Sequence, residues 1–227
     1  MNKKVLIIGN KPYHNFKLDN ILDSFDLIYR FNFACPGKNN GTKFGKLAMC
    51  HHVFFNLVEN PISEEKLMEV YYDMDNTYLS NWYAFFQANK EKFDEIYHQN
   101  EHIWDNWNRM LREYGSPYRL SKMATTGLST IFRNLADNNE IYLSSFTVCD
   151  DEIRKTIGET DEFIQAKIKD NGCHSYSEEI NIITWLHNNK KIDASLCMLD
   201  DTEEISIKTN HNNMKPSKFI FELMNKK

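Results

Sequence analysis

His174, in the stretch GCHSYSEEIN (residues 172–181), stands just ahead of a helix start and five positions before Glu179. Ser175 and Glu178 have the Ser-x-x-Glu spacing of a capping box, which predicts a helix from Tyr176. Tyr176, Ile180, Ile183 and Leu186 recur at the period of its buried face. His174 then lies outside the helix, near its positive end. A cation is disfavoured there, so the imidazole stays neutral and able to accept a proton, as a general base must. The same residues also describe a surface histidine beside an ordinary cap. Asn10, Asn32 and Asn56 each close an apolar run, in GN, RFN and FFN. Uncharged amides at the carboxyl ends of parallel strands would line one ligand pocket. Thr125-Thr126-Gly127 reads as another helix start. Its open amides, hydroxyls and small residue suit a phosphate, and they also suit an unremarkable helix N-terminus.

The elements that must position these groups alternate between strand and helix. KKVLIIGN, FDLIYRFN, LAMCHHVFFN and EIYLSSFTV read as strands, and ASLCML as a last one. Residues 61–120 are helical in tone. Glu64 and Glu65 place acids in a first turn after Ser63, and Ile103, Trp104, Trp107, Met110 and Leu111 form a stripe for the core. Thr125 or Thr126 caps a helix whose apolar face is Leu128, Ile131, Phe132 and Leu135, and Asp137-Asn138-Asn139 turns the chain into EIYLSS. Residues 149–172 are charged and weakly patterned, which reads as a loop or lid. The pattern predicts an α/β fold with a mainly parallel sheet covered on both faces, in one domain over residues 1–210. The tail, residues 211–227, ends in KPSKFIFELMNKK, basic and apolar together. It suits either weak attachment to an anionic membrane or packing on the domain edge.

The chain has 227 residues, 41% hydrophobic and 26% charged, as soluble globular proteins do. The formal net charge is -5 with no Lys/Arg cluster, which argues against a nucleic-acid partner. Five cysteines without CxxC spacing fit a reducing compartment. The apolar run in MNKKVLIIGN is too short for a signal peptide, and no run approaches the roughly 20 residues that span a bilayer. A cytoplasmic protein, at most peripheral on a membrane, is the expectation. Asp73-Met74-Asp75 mimics the Asp-x-Asp metal motif of nucleotide-sugar transferases, but it follows a helix-like segment. His51 and His52, adjacent on a strand, would point to opposite faces. Neither predicts a metal.

The order GNKP, RFN, VFFN, TTGL…EIYLSS and HSYSEEI resembles the bacterial sialyltransferases of glycosyltransferase family 42. HSYSEE is also similar to the His-x-x-x-x-Glu motif of the animal-type family 29 sialyltransferases. The resemblance covers both ends of the domain but not its helical middle. It implies a GT-A-like, Rossmann-type fold with a mobile lid over the donor site. It implies a CMP-activated donor, usually CMP-sialic acid, a glycan acceptor, and inversion at the anomeric carbon without a metal or other cofactor. By the same resemblance His174 is the general base, and Glu179 supports the site from behind it. Asn10, Asn32 and Asn56 contact the nucleotide and its phosphate, and Thr126 and Gly127 hold it at their helix start. Arg30, Thr125 and Ser144 belong to the matched motifs of that donor site.

The chain departs from the family at two registers. Met123, beside Lys122, stands where the family places an arginine. CDDEIRK stands where it places two tyrosines that hold the leaving phosphate, so Arg154 or Lys155 would have to substitute. These departures leave open a CMP-3-deoxy-manno-octulosonate donor, or a protein that binds a nucleotide or glycan without turnover. A lipid-linked acceptor would match a peripheral membrane position, and a homo-oligomer is compatible with the sequence.

Overall fold

The computed structural model describes residues 2–10, 18–37, 41–100, 103–146, 148, 172–198, 214–215 and 217–224. Most of the expected lid falls outside the described residues, and Arg154 and Lys155 fall there with it.

Five short strands form one all-parallel sheet: β1 (Lys4–Ile8), β2 (Leu27–Phe31), β3 (Lys46–Met49), β4 (Glu95–His98) and β5 (Glu140–Ser144). The order across the sheet is β4-β3-β2-β1-β5. Chain direction across the sheet therefore reverses at β1, which β5 flanks on one side and β2 on the other. Ligands of open α/β sheets bind at such a reversal, beyond the carboxyl ends of the strands.

Strand side chains alternate between faces, and so do the core clusters. Val5, Ile7, Tyr29, Phe31, Ala48, Ile141 and Leu143 point to one face. It is covered by α5 (Trp104–Glu113), α6 (Thr126–Ala136) and α7 (Tyr176–Asn188). Leu6, Ile8, Ile28 and Tyr142 point to the other, against α1 (Asp19–Leu22) and α8 (Lys218–Met224). Leu47 and Met49 continue that second face under α2 (His51–Phe54), α3 (Glu64–Val70) and α4 (Asn76–Asn89). The α/β expectation with helices on both faces holds.

Several elements differ from the sequence reading. The third strand stops at Met49, and the chain turns into α2 and then a π-helical turn, Phe55–Glu59. Val53 and Leu57, four residues apart, are buried while His51 and His52 are exposed, so the helical period prevailed over alternation. Within the expected last strand, Ser195–Met198 form a 3-10 turn, after a single bridge from Tyr142 to Asp193. Asp193 accepts bonds from the Ser195 amide at 2.9 Å and from its hydroxyl, and these local bonds compete with a strand. β4 lies inside the stretch expected to be helical. In the C-terminal tail, Ile220 (1% exposed) and Leu223 (7%) are buried in one apolar cluster with Leu6 and Ile8 of β1 and Ile21 and Leu22 of α1, so α8 packs on that face of the sheet. No helix among the described residues is long and apolar enough to cross a membrane.

Candidate functional site

The α6 start is built as its sequence predicts. Thr125 is the N-cap, and its Oγ accepts the Leu128 amide at 3.2 Å. The residues just ahead of it are gripped from α7. Glu179, 6% exposed, accepts the Thr125 amide at 2.6 Å on one oxygen and the Thr125 hydroxyl at 2.8 Å on the other. Glu178 accepts the Ser121 amide at 2.8 Å. The predicted capping box is not closed: Ser175 makes no side-chain cap, and Glu178 reaches to the neighbouring segment.

His174 is half-buried, and its Nδ1 lies 2.8 Å from the Met123 carbonyl. A carbonyl only accepts, so Nδ1 carries the hydrogen and Nε2 is the basic nitrogen of the neutral ring. His174 and Glu179 thus hold Met123 and Thr125, two residues apart on the approach to Thr126-Gly127. The pair stand five positions apart in sequence; they work together because His174 lies outside α7 while Glu179 sits in its first turn.

Gly127 is small for a packing reason. A Cβ there would come within 2.9 Å of the Phe146 ring, which follows β5, and 3.8 Å of Phe31 at the end of β2. Gly9 is similar: a Cβ would lie 2.3 Å from the Ser145 carbonyl. These contacts bring the ends of β1, β2 and β5 and the α6 start together.

The asparagines divide. Asn10 Nδ2 donates to the Phe31 carbonyl at 3.1 Å, joining the ends of β1 and β2. Asn32 adopts a left-handed backbone (φ 44°), and its Oδ1 accepts the Cys50 amide at 2.8 Å, joining the ends of β2 and β3. Asn tolerates that conformation better than most residues. Each spends part of its amide on the scaffold. Asn56 lies in the π turn rather than at a strand end, with Nδ2 3.4 Å from the Tyr71 hydroxyl. Arg30 alternates to the face opposite α6. It is fully buried there, donating from Nε to Lys43 O at 3.0 Å and from one terminal nitrogen to Gly41 O at 2.8 Å and Lys43 O at 2.7 Å. Burial pulls its pKa down to about 10. Ser144 is wholly buried, and its carbonyl accepts the Gly9 amide at 2.7 Å.

Elsewhere, Asp75 is the N-cap of α4, accepting the Tyr78 amide at 2.7 Å. His51 and His52 lie on a helix rather than a strand, and the His51 ring contacts His98 at 5.2 Å. No group of three or more metal-ligating side chains occurs among the described residues. A cavity of about 980 Å³ opens at the amino end of β5, beside Lys190, Lys191 and the tail. It lies away from the α6 start. His187 on its wall is fully bonded: Nδ1 accepts the Ala194 amide at 3.0 Å and Nε2 donates to Lys215 O at 2.8 Å.

One feature of the strand ends has no counterpart in the sequence reading. Ser145, next to the expected Ser144, has φ 61° and a buried hydroxyl without a partner. A serine inside IYLSSF carries no mark of a left-handed conformation, which is why sequence reasoning passed over it. In comparisons with known proteins, the chain matches no family model and no curated protein.

Proposed function

We propose that this chain is a metal-independent, inverting glycosyltransferase of GT-A-like fold. It moves a sugar, sialic acid foremost, from a CMP donor to a glycan hydroxyl. The observation that carries the reading is the double grip of α7 on the α6 approach, His174 on Met123 and Glu179 on Thr125. It ties an imidazole whose Nδ1 faces a carbonyl to a helix start that suits a phosphate.

In this reading His174 Nε2 takes the proton of the acceptor hydroxyl as its oxygen attacks the anomeric carbon. The bond from that carbon to the phosphate oxygen breaks on the opposite face, through an oxocarbenium-like transition state, and its electron pair leaves with CMP. Backbone amides at the α6 start and the Asn10 and Asn32 amides meet the charge growing on that phosphate. Glu179 fixes the start of α6 by holding Thr125. The partners are the CMP-sugar and a glycan, lipid-linked if the protein works at a membrane surface from the cytoplasm.

A nucleotide- or glycan-binding protein without turnover is the second reading. It is favoured by Met123, which brings no cation to the α6 approach where the resembling family has an arginine.

Thermal shift with CMP, CDP, UDP and GDP tests the donor class, since a ligand bound by the folded state alone raises its stability. CMP should give the largest rise; equal shifts would reject the CMP assignment. His174→Ala should lower transfer about 10²–10⁴-fold while retaining CMP binding. Undiminished transfer would remove His174 from its role. Retained CMP binding with no transfer by the unaltered protein, across a panel of CMP-sugars and acceptors, would favour the second reading.

A further inference from the structure

Ser145 sits where the sheet reverses, and the fold gives no reason for its state. Its φ of 61° is a left-handed conformation that few non-glycine residues adopt. The residue is 2% exposed, yet Oγ bonds nothing. Buried hydroxyls nearly always have a partner. Backbone strain together with an unmet hydrogen bond is more typical of a ligand site than of a scaffold.

The surroundings identify the ligand chemistry. The Ser145 carbonyl lies against Gly9 at the end of β1, and the ring of the next residue, Phe146, lies against Gly127. One dipeptide therefore touches both the end of β1 and the first turn of α6. At that turn Glu179 takes the Thr125 amide and the cap takes the Leu128 amide. The Gly127 amide lies between them, in the turn whose N–H groups lack helical acceptors. An unmet hydroxyl on the dipeptide that touches a helix start of this kind suits an oxyanion.

We propose that Ser145 Oγ donates a hydrogen bond to the phosphate of the donor nucleotide, with the Gly127 amide on the same phosphate. This rests on the nucleotide-sugar reading above and adds a residue to it. Phe146, half-buried over Gly127, is the side chain that moves aside when the phosphate enters.

The test is calorimetric titration of the full chain with CMP and with cytidine, for the unaltered protein, Ser145→Ala and Ser145→Gly. Loss of a hydrogen bond to a charged oxygen should weaken CMP about tenfold or more in both variants. Cytidine, which lacks the phosphate, should change less than twofold. Ser145→Gly should also melt above Ser145→Ala, because glycine accepts the left-handed backbone. CMP affinity within twofold of the unaltered protein in both variants would overturn the role of Ser145 and leave the nucleotide reading standing. An unaltered protein that binds neither CMP nor cytidine would overturn both.

Discussion

Removing the Glu179 carboxylate tests the joint on which the candidate site is built. Glu179 makes two bonds to Thr125, one to its amide and one to its hydroxyl, from a position 6% exposed. A hydrogen bond to a charged group contributes about 1.5–3 kcal/mol, and the two share one carboxylate, so Glu179→Ala should cost about 3 kcal/mol rather than twice a single bond. Glu179→Gln keeps one acceptor for the amide, and its NH₂ can donate to the hydroxyl oxygen, so about 1 kcal/mol is expected. Thr125→Val removes the cap and the hydroxyl bond together, at about 1–2 kcal/mol. In a chain of this size each kcal/mol lowers the melting temperature by about 2–4 °C. The assay is urea unfolding of Glu179→Ala, Thr125→Val and the variant that combines them, with Glu179→Gln alongside. Because the residues touch, the double variant should lose about 1 kcal/mol less than the sum. Strict additivity, or a Glu179→Ala loss below about 0.5 kcal/mol, would refute the joint.

Four further outcomes are expected. Burial holds the Cys35 thiol up at about 11, so its thiolate is scarce at pH 9; iodoacetamide should modify exposed Cys173 first, and mass spectrometry showing equal rates would contradict this. The sign for stability follows: between about pH 9 and 11 the unfolded thiol ionises while the folded one does not, so stability falls as pH rises, and Cys35→Ala should flatten that fall in alkaline melts. Asn32→Ala loses the bond to the Cys50 amide and strains a φ of 44°, so it should cost about 2 kcal/mol in urea unfolding, with Asn32→Gly costing less. Ile220→Ala, in the C-terminal helix, should cost about 2–4 kcal/mol by the same measurement, as a core position does; a negligible cost would mean that the tail does not pack as described.

The sequence made the scaffold legible wherever local pattern and tertiary environment agreed. α6 begins at its Thr125 cap and buries Leu128, Ile131, Phe132 and Leu135, and α7 begins at Tyr176 and buries Ile180, Ile183 and Leu186. β1, β2 and β5 appear where apolar runs end in polar residues. β4 had a signal that went unread: FDEIY at 93–97 repeats FDLIY at 25–29. In both, the Asp amide bonds a carbonyl at the start of the neighbouring strand, Lys4 for Asp26 and Gly45 for Asp94. Glu95 at the sheet edge obscured the likeness by adding charge where β2 has a leucine. Partnerships set by distant packing were not legible. Glu178 on Ser121, Arg30 on the Gly41 and Lys43 carbonyls, and the unmet Ser145 hydroxyl depend on segments that meet only in three dimensions. Motif order could nominate His174 and Glu179, but not the backbone atoms they hold.

The pairing of β1 with β5 carries a consequence for assembly. Lys4 registers with Glu140, so a central strand waits for a partner that arrives after more than half of the chain. β2 can zip onto β1 early, and β3 onto β2, since short loops close at little entropic cost. An N-terminal fragment ending before Glu140 would then carry much of the sheet and none of the reversal. During synthesis, the open flank of β1 is a bare edge that invites wrong partners. Formation of the β1–β5 pairing in refolding should therefore lag the burial of the aromatic side chains under β3.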